Sequence, residues 1–544
     1  MPKPKFDWLN RRHWQDFYRE AKRTHSINHK MMLHIQANDL MAVEACIRKG
    51  ADVNCCLTSG LWYDVFNRFD GFTPVHMAVL YGRLEILHLL IVIHGAKADN
   101  TDRYRLTPLD YITTKQWNEP EEDFIHWNKK RTRQMIECLV RDGGADINRL
   151  GDRDGAGNWT PFHEAVANNR LDVAKTLFAE GADVHLPGPE KTYCDYCTDD
   201  CVTTPLYSAG RHASPTMTDF LVNECNANVN AIDSVGMTPL IVCCQRNPID
   251  LDSIKCLVHD GNADISIRDF DRGETALHRA CKFCKDSSWP ILKFLIFDCG
   301  MDVNARNSKK GWTPIFHLVQ DRFPSQAKHN YRLGFVKKMV EVYGANPILV
   351  DDNGDTVLHI VCRPNEEYDV EEDDKVVVAA VETVRYLVES CGLHFHAKNQ
   401  KGESPFFLAC QNPEAIEILR YSLAQNPALR SAKDDYGNTL LHLLCYAYNH
   451  IAVNFLLFEL ELTAEEIDTK NAYGRTALKT VINKYNRQRS WRLGSIMRSI
   501  RDRKFRIRQE EQNWMRYLLT NGLGSGSNRQ GLGAECAERM IEFL

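Results

Sequence analysis

Apolar residues recur in short runs along this chain at i, i+3, i+4 and i+7, as in EILHLLIVI (85–93), DVAKTLFAEG (172–181), SIKCLVHDG (253–261), ILKFLIFDCG (291–300) and ETVRYLVES (382–390). That period predicts helices with one buried stripe. Ahead of such runs stands a Thr-Pro-Leu-His-like tetrapeptide. It begins at Thr73, Thr107, Thr160, Thr204, Thr238, Thr275, Thr313, Thr356, Ser404, Thr439 and Thr476. The intervals are 34, 53, 44, 34, 37, 38, 43, 48, 35 and 37 residues, a floor near 34 with insertions above it. Such spacing marks one structural unit, copied and then decorated. Several copies close on a Gly-Ala-Asp-Val-Asn type of turn, at 50–54, 144–148, 181–184 and 301–304.

Each recurring letter has a physical task. Thr before Pro suits a helix N-cap, its hydroxyl accepting a backbone N–H that the first turn leaves unpaired. Pro at the first helical position gives up no hydrogen bond. Gly two residues before Thr (71, 236, 273, 311, 354, 402, 437 and 474) suits a turn with positive φ. His three residues after Thr (76, 163, 278, 359 and 442) is expected to tie neighbouring turns through its ring nitrogens, a structural task and not a catalytic one.

With these residues the chain resembles the ankyrin-repeat family from about Leu33 to Tyr485. The resemblance implies an all-α fold, an ankyrin-repeat solenoid of about twelve helix-turn-helix units with β-hairpin-like fingers. The first unit is a degenerate copy over 29–54. One such pair cannot bury its apolar faces alone, so the units must stack. The expected organisation is a capping segment at 1–28, the repeat array at 29–485, a basic helical cap at 486–520 and a Gly/Ser-rich linker and tail at 521–544. Insertions are expected at 55–70, 115–130, 186–203 and 365–374.

The chain has 544 residues and a net charge of -5, so no global bias favours nucleic acid. No apolar run reaches membrane-span length and the first residues lack a secretory apolar core, so no membrane partner is expected. Nineteen scattered cysteines, many at helix-core positions (46, 138, 256, 410 and 445), argue against a disulfide framework. They point to a reducing compartment, the cytoplasm or the nucleus.

Candidate chemistry is sparse. Cys194, Cys197 and Cys201 with His185 offer soft ligands for zinc, but a second half-site is missing, and reduced loop thiols are the plainer reading. Phosphate-loop, nucleophile-elbow and metalloprotease signatures are absent, so neither an enzyme nor a cofactor is expected. Residues 484–508 carry ten Lys and Arg against Asp502 alone, suiting an acidic protein, nucleic acid or an import receptor, or else a solvated helix face. Leu532, Cys536 and Met540 faintly resemble the Elongin-binding part of a suppressor-of-cytokine-signalling box.

Ankyrin proteins commonly meet partners through the residues just before Thr-Pro. That correspondence points to Phe69, Phe72, Tyr104, Trp159, Met237, Arg272, Trp312, Tyr436 and Tyr473. The expectation is a non-enzymatic scaffold or adaptor whose partner is a protein, with nucleic acid and small molecules not expected. The alternatives are a substrate receptor of a cullin-type ubiquitin ligase and a nuclear regulator using the basic segment.

Overall fold

The computed structural model describes residues 27–56, 71–113, 129–151, 159–189, 202–212, 214–245, 250–284, 288–320, 326–363, 381–412, 416–447, 449–488 and 491–521. The chain forms two compact units, Met1–His317 and Leu318–Leu544. Each has its own apolar core.

The first unit is a succession of short helix pairs. They are Ile27–Gln36 with Leu40–Arg48, Pro74–Leu80 with Leu84–His88, Pro108–Thr113 with Lys129–Glu137, and Pro161–Ala167 with Leu171–Ala179. Pro205–His212 with Pro215–Asp219, Pro239–Cys243 with Leu251–Lys255, and Ala276–Lys282 with Trp289–Lys293 follow. Pro314–Gln320 begins at the end of this unit. The second unit contains Gln326–Glu341, then Val357–Cys362 with Val381–Glu389, Pro405–Gln411 with Ile416–Gln425, and Leu440–Tyr446 with His450–Asn454. A single turn, Ala464–Asp468, precedes Ala477–Gln488 and the long helix Trp491–Asn521. Among the described residues the only strands are Gly188–Pro189 and Val202–Thr203, paired antiparallel. The helix Lys129–Glu137 begins inside the span expected as the second insertion.

Local chemistry starts and stops these helices. Thr73, Thr160 and Thr238 stand in extended backbone and accept from the N–H three residues on, with Pro at the next position. Ser404 does the same for Pro405–Gln411. Many second helices widen into a π turn, as at Leu89–Ile93, Cys138–Asp142, Phe220–Glu224, Cys256–Asp260, Phe294–Asp298 and Phe455–Glu459. They then end on a residue with positive φ: Gly95, Gly144, Asn226, Asn262, Gly300 or Glu461. The next N–H reaches back six residues, as from Ala96 to Leu90 and from Met301 to Leu295, which is how such an end satisfies carbonyls left over by the helix.

Packing follows the apolar stripes. Ile86, Leu87 and Leu90 are buried on one second helix, and Val173, Ala174 and Leu177 on another. Phe162, Phe316 and Phe406 on first helices are fully enclosed, each burial contributing about 1.5–3 kcal/mol. Cys46, Cys138, Cys256, Cys410 and Cys445 are buried free thiols acting as small apolar residues. Among the described residues, no helix is long and apolar enough to cross a membrane.

Candidate protein-interaction surface

Between successive helix pairs the chain makes a turn whose anchor is an Asp or Asn near its base. Asp102 Oδ1 accepts from the N–H groups of Tyr104 and Leu106 at 2.8 and 2.9 Å. Asp233 does the same for Val235 and Met237 at 3.0 and 2.7 Å. Asn307, Asp351, Asn399, Asp434 and Asn471 repeat the device. The anchor went unread in the sequence although its signal is there: Asp or Asn five or six residues before the cap Thr or Ser, with Gly two before that cap in every such turn but the one of Asp102, where Arg105 stands. Folding the turn over this one carboxylate or amide places three consecutive residues in three environments. The residue three before Thr faces out, the residue two before (Gly, or Arg105 ahead of Thr107) adopts positive φ, and the residue one before turns under the finger in most copies, Arg475 staying exposed.

A histidine of the preceding unit secures that last residue. His76 Nε2 donates to the Leu106 carbonyl at 3.1 Å, His163 to Thr203 at 3.2 Å, His278 to Trp312 at 3.1 Å and His442 to Arg475 at 2.8 Å. His359 donates instead to Ala397, at 3.1 Å. A carbonyl can only accept, so Nε2 carries the hydrogen and Nδ1 faces the capping Thr hydroxyl, 2.9 Å away for Thr73 and His76. Burial disfavours the charged ring and pushes the pKa of His76, His163 and His278 down to about 4. These histidines are structural ties.

The expected contact residues therefore divide by their offset from Thr. Phe72, Met237 and Trp312, expected as partner contacts, stand one before Thr and are buried, so their side chains pack within the chain. Phe72 packs edge-on against Tyr111 at 5.0 Å. Met237 Sδ takes a contact from Gln245 Nε2 at 3.3 Å. Trp312 keeps 4% exposure, stacked on Phe316 at 5.8 Å with His317 edge-on at 5.3 Å. Trp159, at the same offset, is half-buried and stacked on His163 at 6.3 Å.

Side chains three before Thr face outward. Tyr104 is half-buried with the Arg103 guanidinium 4.9 Å from its ring centre. Arg272 is half-buried, its Nε 3.1 Å from Asp271. Tyr436 and Tyr473, 60% and 65% exposed, lie nearly parallel at 6.4 Å, on fingers joined by a bond from Ala472 N–H to the Tyr436 carbonyl. Phe69 lies outside the described residues.

Where a polar residue occupies the buried offset, it is paired. Glu274 Oε2 lies 2.7 Å from Arg279 Nε, and Arg279 also reaches Asp269 at 2.9 Å. Asp355 takes Arg363 at 2.6 Å and the Asn399 amide at 2.7 Å. Asp110 takes the place of the tying histidine in its unit. It accepts from both the N–H and the hydroxyl of Thr107, and burial lifts its carboxyl to about 6.

Of the suggested zinc ligands, Cys194, Cys197 and Cys201 lie outside the described residues, and His185 is exposed. Among the described residues, Asp219, Cys256 and Asp260 are near enough to converge on a cation. Burial, then the charges of Asp260 and Asp219, pushes the Cys256 thiol up to about 12.

Family models match the repeat in the sequence. The model described as ankyrin repeats (many copies) matches residues 31–91, and the ankyrin-repeat model matches 157–188, 235–270 and 272–308. The chain is an ankyrin-repeat protein. A B-cell lymphoma 3 protein homolog of Mus musculus is 27% identical over 294 residues, covering 53% of this chain and 55% of the relative. The NAD-dependent deacetylase sir2B of Dictyostelium discoideum is 22% identical over 404 residues, covering 64% of this chain and 48% of that protein. The chain thus spans about half the length of these curated relatives. The crystal structure of the ankyrin repeat domain of Bcl-3, a member of the IkappaB protein family, is 22% identical and covers 48% of this chain and 97% of that one, at a TM-score of 0.35. The repeats and the B-cell lymphoma 3 relative support a role in protein interaction.

Proposed function

We propose that this ankyrin-repeat protein is a non-enzymatic scaffold or adaptor that holds a partner protein against the outward side chains of its fingers. The observation that carries the reading is the Tyr436–Tyr473 pair, two large rings left mostly in water on adjacent, hydrogen-bonded turns. Exposed aromatic side chains contribute disproportionately to protein interfaces, because they bury much area while losing little conformational freedom. Tyr104, Arg272 and the half-buried Trp159 extend the same reading into the first unit. The buried residues Phe72, Met237 and Trp312 support it from beneath by fixing the turns.

Affinity purification with mass spectrometry tests the reading, with wild type beside a Tyr436→Ala/Tyr473→Ala variant of unchanged melting temperature. Partners recovered with wild type should be depleted with the variant, by about tenfold if the two rings supply on the order of 1–2 kcal/mol. Identical recovery from both would remove the second unit's fingers as the site.

A further inference from the structure

The basic stretch that the finger reading leaves unused resolves into two sets of cations once the helix Trp491–Asn521 is in place. Leu493, Ile496 and Ile500 form its buried stripe, with Arg503 on the same side. Three cations are occupied within the chain. Arg503 lies 3.6 Å from Glu510, Lys504 lies 2.6 Å from Asp468, and the Arg506 guanidinium sits 5.1 Å from the Phe458 ring centre. Arg498, Arg501 and Arg508 are exposed, and no acid or ring among the described residues pairs with them, Asp502 included. Phe505 stands among them, 64% exposed. Positions 498, 501, 505 and 508 follow one another at three, four and three residues, so they share a single face, roughly opposite the buried stripe. From Arg498 to Arg508 this face runs about 15 Å.

We infer that this Arg–Arg–Phe–Arg face of the C-terminal helix is a docking surface for an acidic segment of a partner protein, with carboxylates flanking an apolar side chain. Charge complementarity selects the occupant. Arginine pairs with carboxylates through a planar fork, and its weak hydration makes the pairing less costly than for lysine. Phe505, central in the face, supplies the apolar contact that a purely electrostatic surface lacks. A second copy of this chain would set Arg against Arg. A lipid surface requires a broad apolar face, and this one has a single apolar side chain. Nucleic acid binds chiefly through its phosphates, and three arginines neutralise at most about three of them, a small electrostatic term that falls further as salt rises. The inference is independent of the finger reading, since it uses none of the same residues.

The test uses the full chain and fluorescence anisotropy with three probes. These are a labelled twelve-residue peptide with Asp and Glu around one central Leu, a single-stranded oligonucleotide of equal charge, and vesicles one-third phosphatidylserine. Wild type should bind the peptide most tightly, with affinity falling as salt rises. The variant Arg498→Glu/Arg501→Glu/Arg508→Glu should weaken peptide binding by about tenfold or more, as three charge pairs are lost and their sign reversed. Phe505→Ala should weaken it severalfold without changing the salt slope. Lys504→Gln, which removes a cation outside the face, should stay within about twofold of wild type. Circular dichroism of each variant checks that the helix persists, as expected for changes confined to exposed side chains. Failure of wild type to bind the peptide overturns the inference, as does a triple variant that retains its affinity. Tighter binding of the oligonucleotide or the vesicles through the same arginines does so too, and reassigns the face to that polyanion.

Discussion

A residue's offset from the capping Thr decides whether it serves stability or recognition. Trp312 illustrates the first, buried between Phe316 and His317 with its carbonyl held by His278. Removing its ring leaves a large cavity, so Trp312→Ala should destabilise by about 3–5 kcal/mol, read as a lowered urea midpoint. Tyr436→Ala should stay within about 0.5 kcal/mol of wild type, because its ring is mostly solvated. Equal effects at the two positions would contradict the assignment of offsets. The sequence marked both as aromatic residues before a Thr and could not separate them. What separates them is a rotation of two residues across a positive-φ glycine, Gly311 in one finger and Gly437 in the other. Hydropathy carries no trace of that rotation when both side chains are aromatic.

At the scale of the element, helix positions were legible because an apolar stripe at 3.6 residues and a Thr-Pro cap are local signals. The finger was legible as a turn with a positive-φ Gly, but what orders it was not read. Its order comes from one side chain accepting two backbone N–H groups, a bond marked by a single Asp or Asn once per repeat. Asp233 makes a third bond as well: Oδ1 holds Val235 and Met237, while Oδ2 accepts the Tyr207 hydroxyl at 2.8 Å. Asp233→Ala leaves those donors without their acceptor in a buried place, which should cost about 2–4 kcal/mol. Asp233→Asn should recover a good part, since the amide oxygen can still accept from the two N–H groups. Hydrogen exchange of the Val235 and Met237 amides reports this directly. Fast exchange in the Ala variant is expected, and exchange as slow as in wild type would mean that the turn orders itself without the anchor. The basic stretch near the C-terminus shows the same limit of local reading. Its ten cations look alike in sequence, and from Arg498 to Arg508 it is the partners Glu510, Asp468 and Phe458 that set the occupied side chains apart from the exposed ones.

Across the whole molecule the tying histidines make stability a function of pH. His76, His163 and His278 titrate near 4 when folded, from an ordinary 6.5, because burial disfavours the charged ring. Their contribution is fully present above about pH 6.5. It is lost as pH falls towards 4, since the unfolded chain then takes up protons that the folded chain refuses. Each ring accounts for up to about 1.4 kcal/mol per pH unit in that window. His359 and His442, also lowered by burial, act in the same direction in the second unit. Asp110 opposes them. Its folded pKa is raised by burial to about 6 from 3.8, so between those values the folded chain takes up a proton that the unfolded chain does not. His317, whose pKa burial also pushes well down, adds a fourth such ring to the same unit, and Asp110 offsets about one of these four histidines. Asp110→Asn removes that opposing term and keeps an oxygen for the Thr107 N–H. The variant should lose stability more steeply than wild type between pH 6 and 4, by about one proton in the slope. Urea midpoints measured across that window, with the two proteins compared at each pH, read the difference while terms common to both cancel. Parallel curves would mean that the Asp110 carboxyl titrates in the folded chain as it does in the unfolded one, and that the solvent reaches this turn.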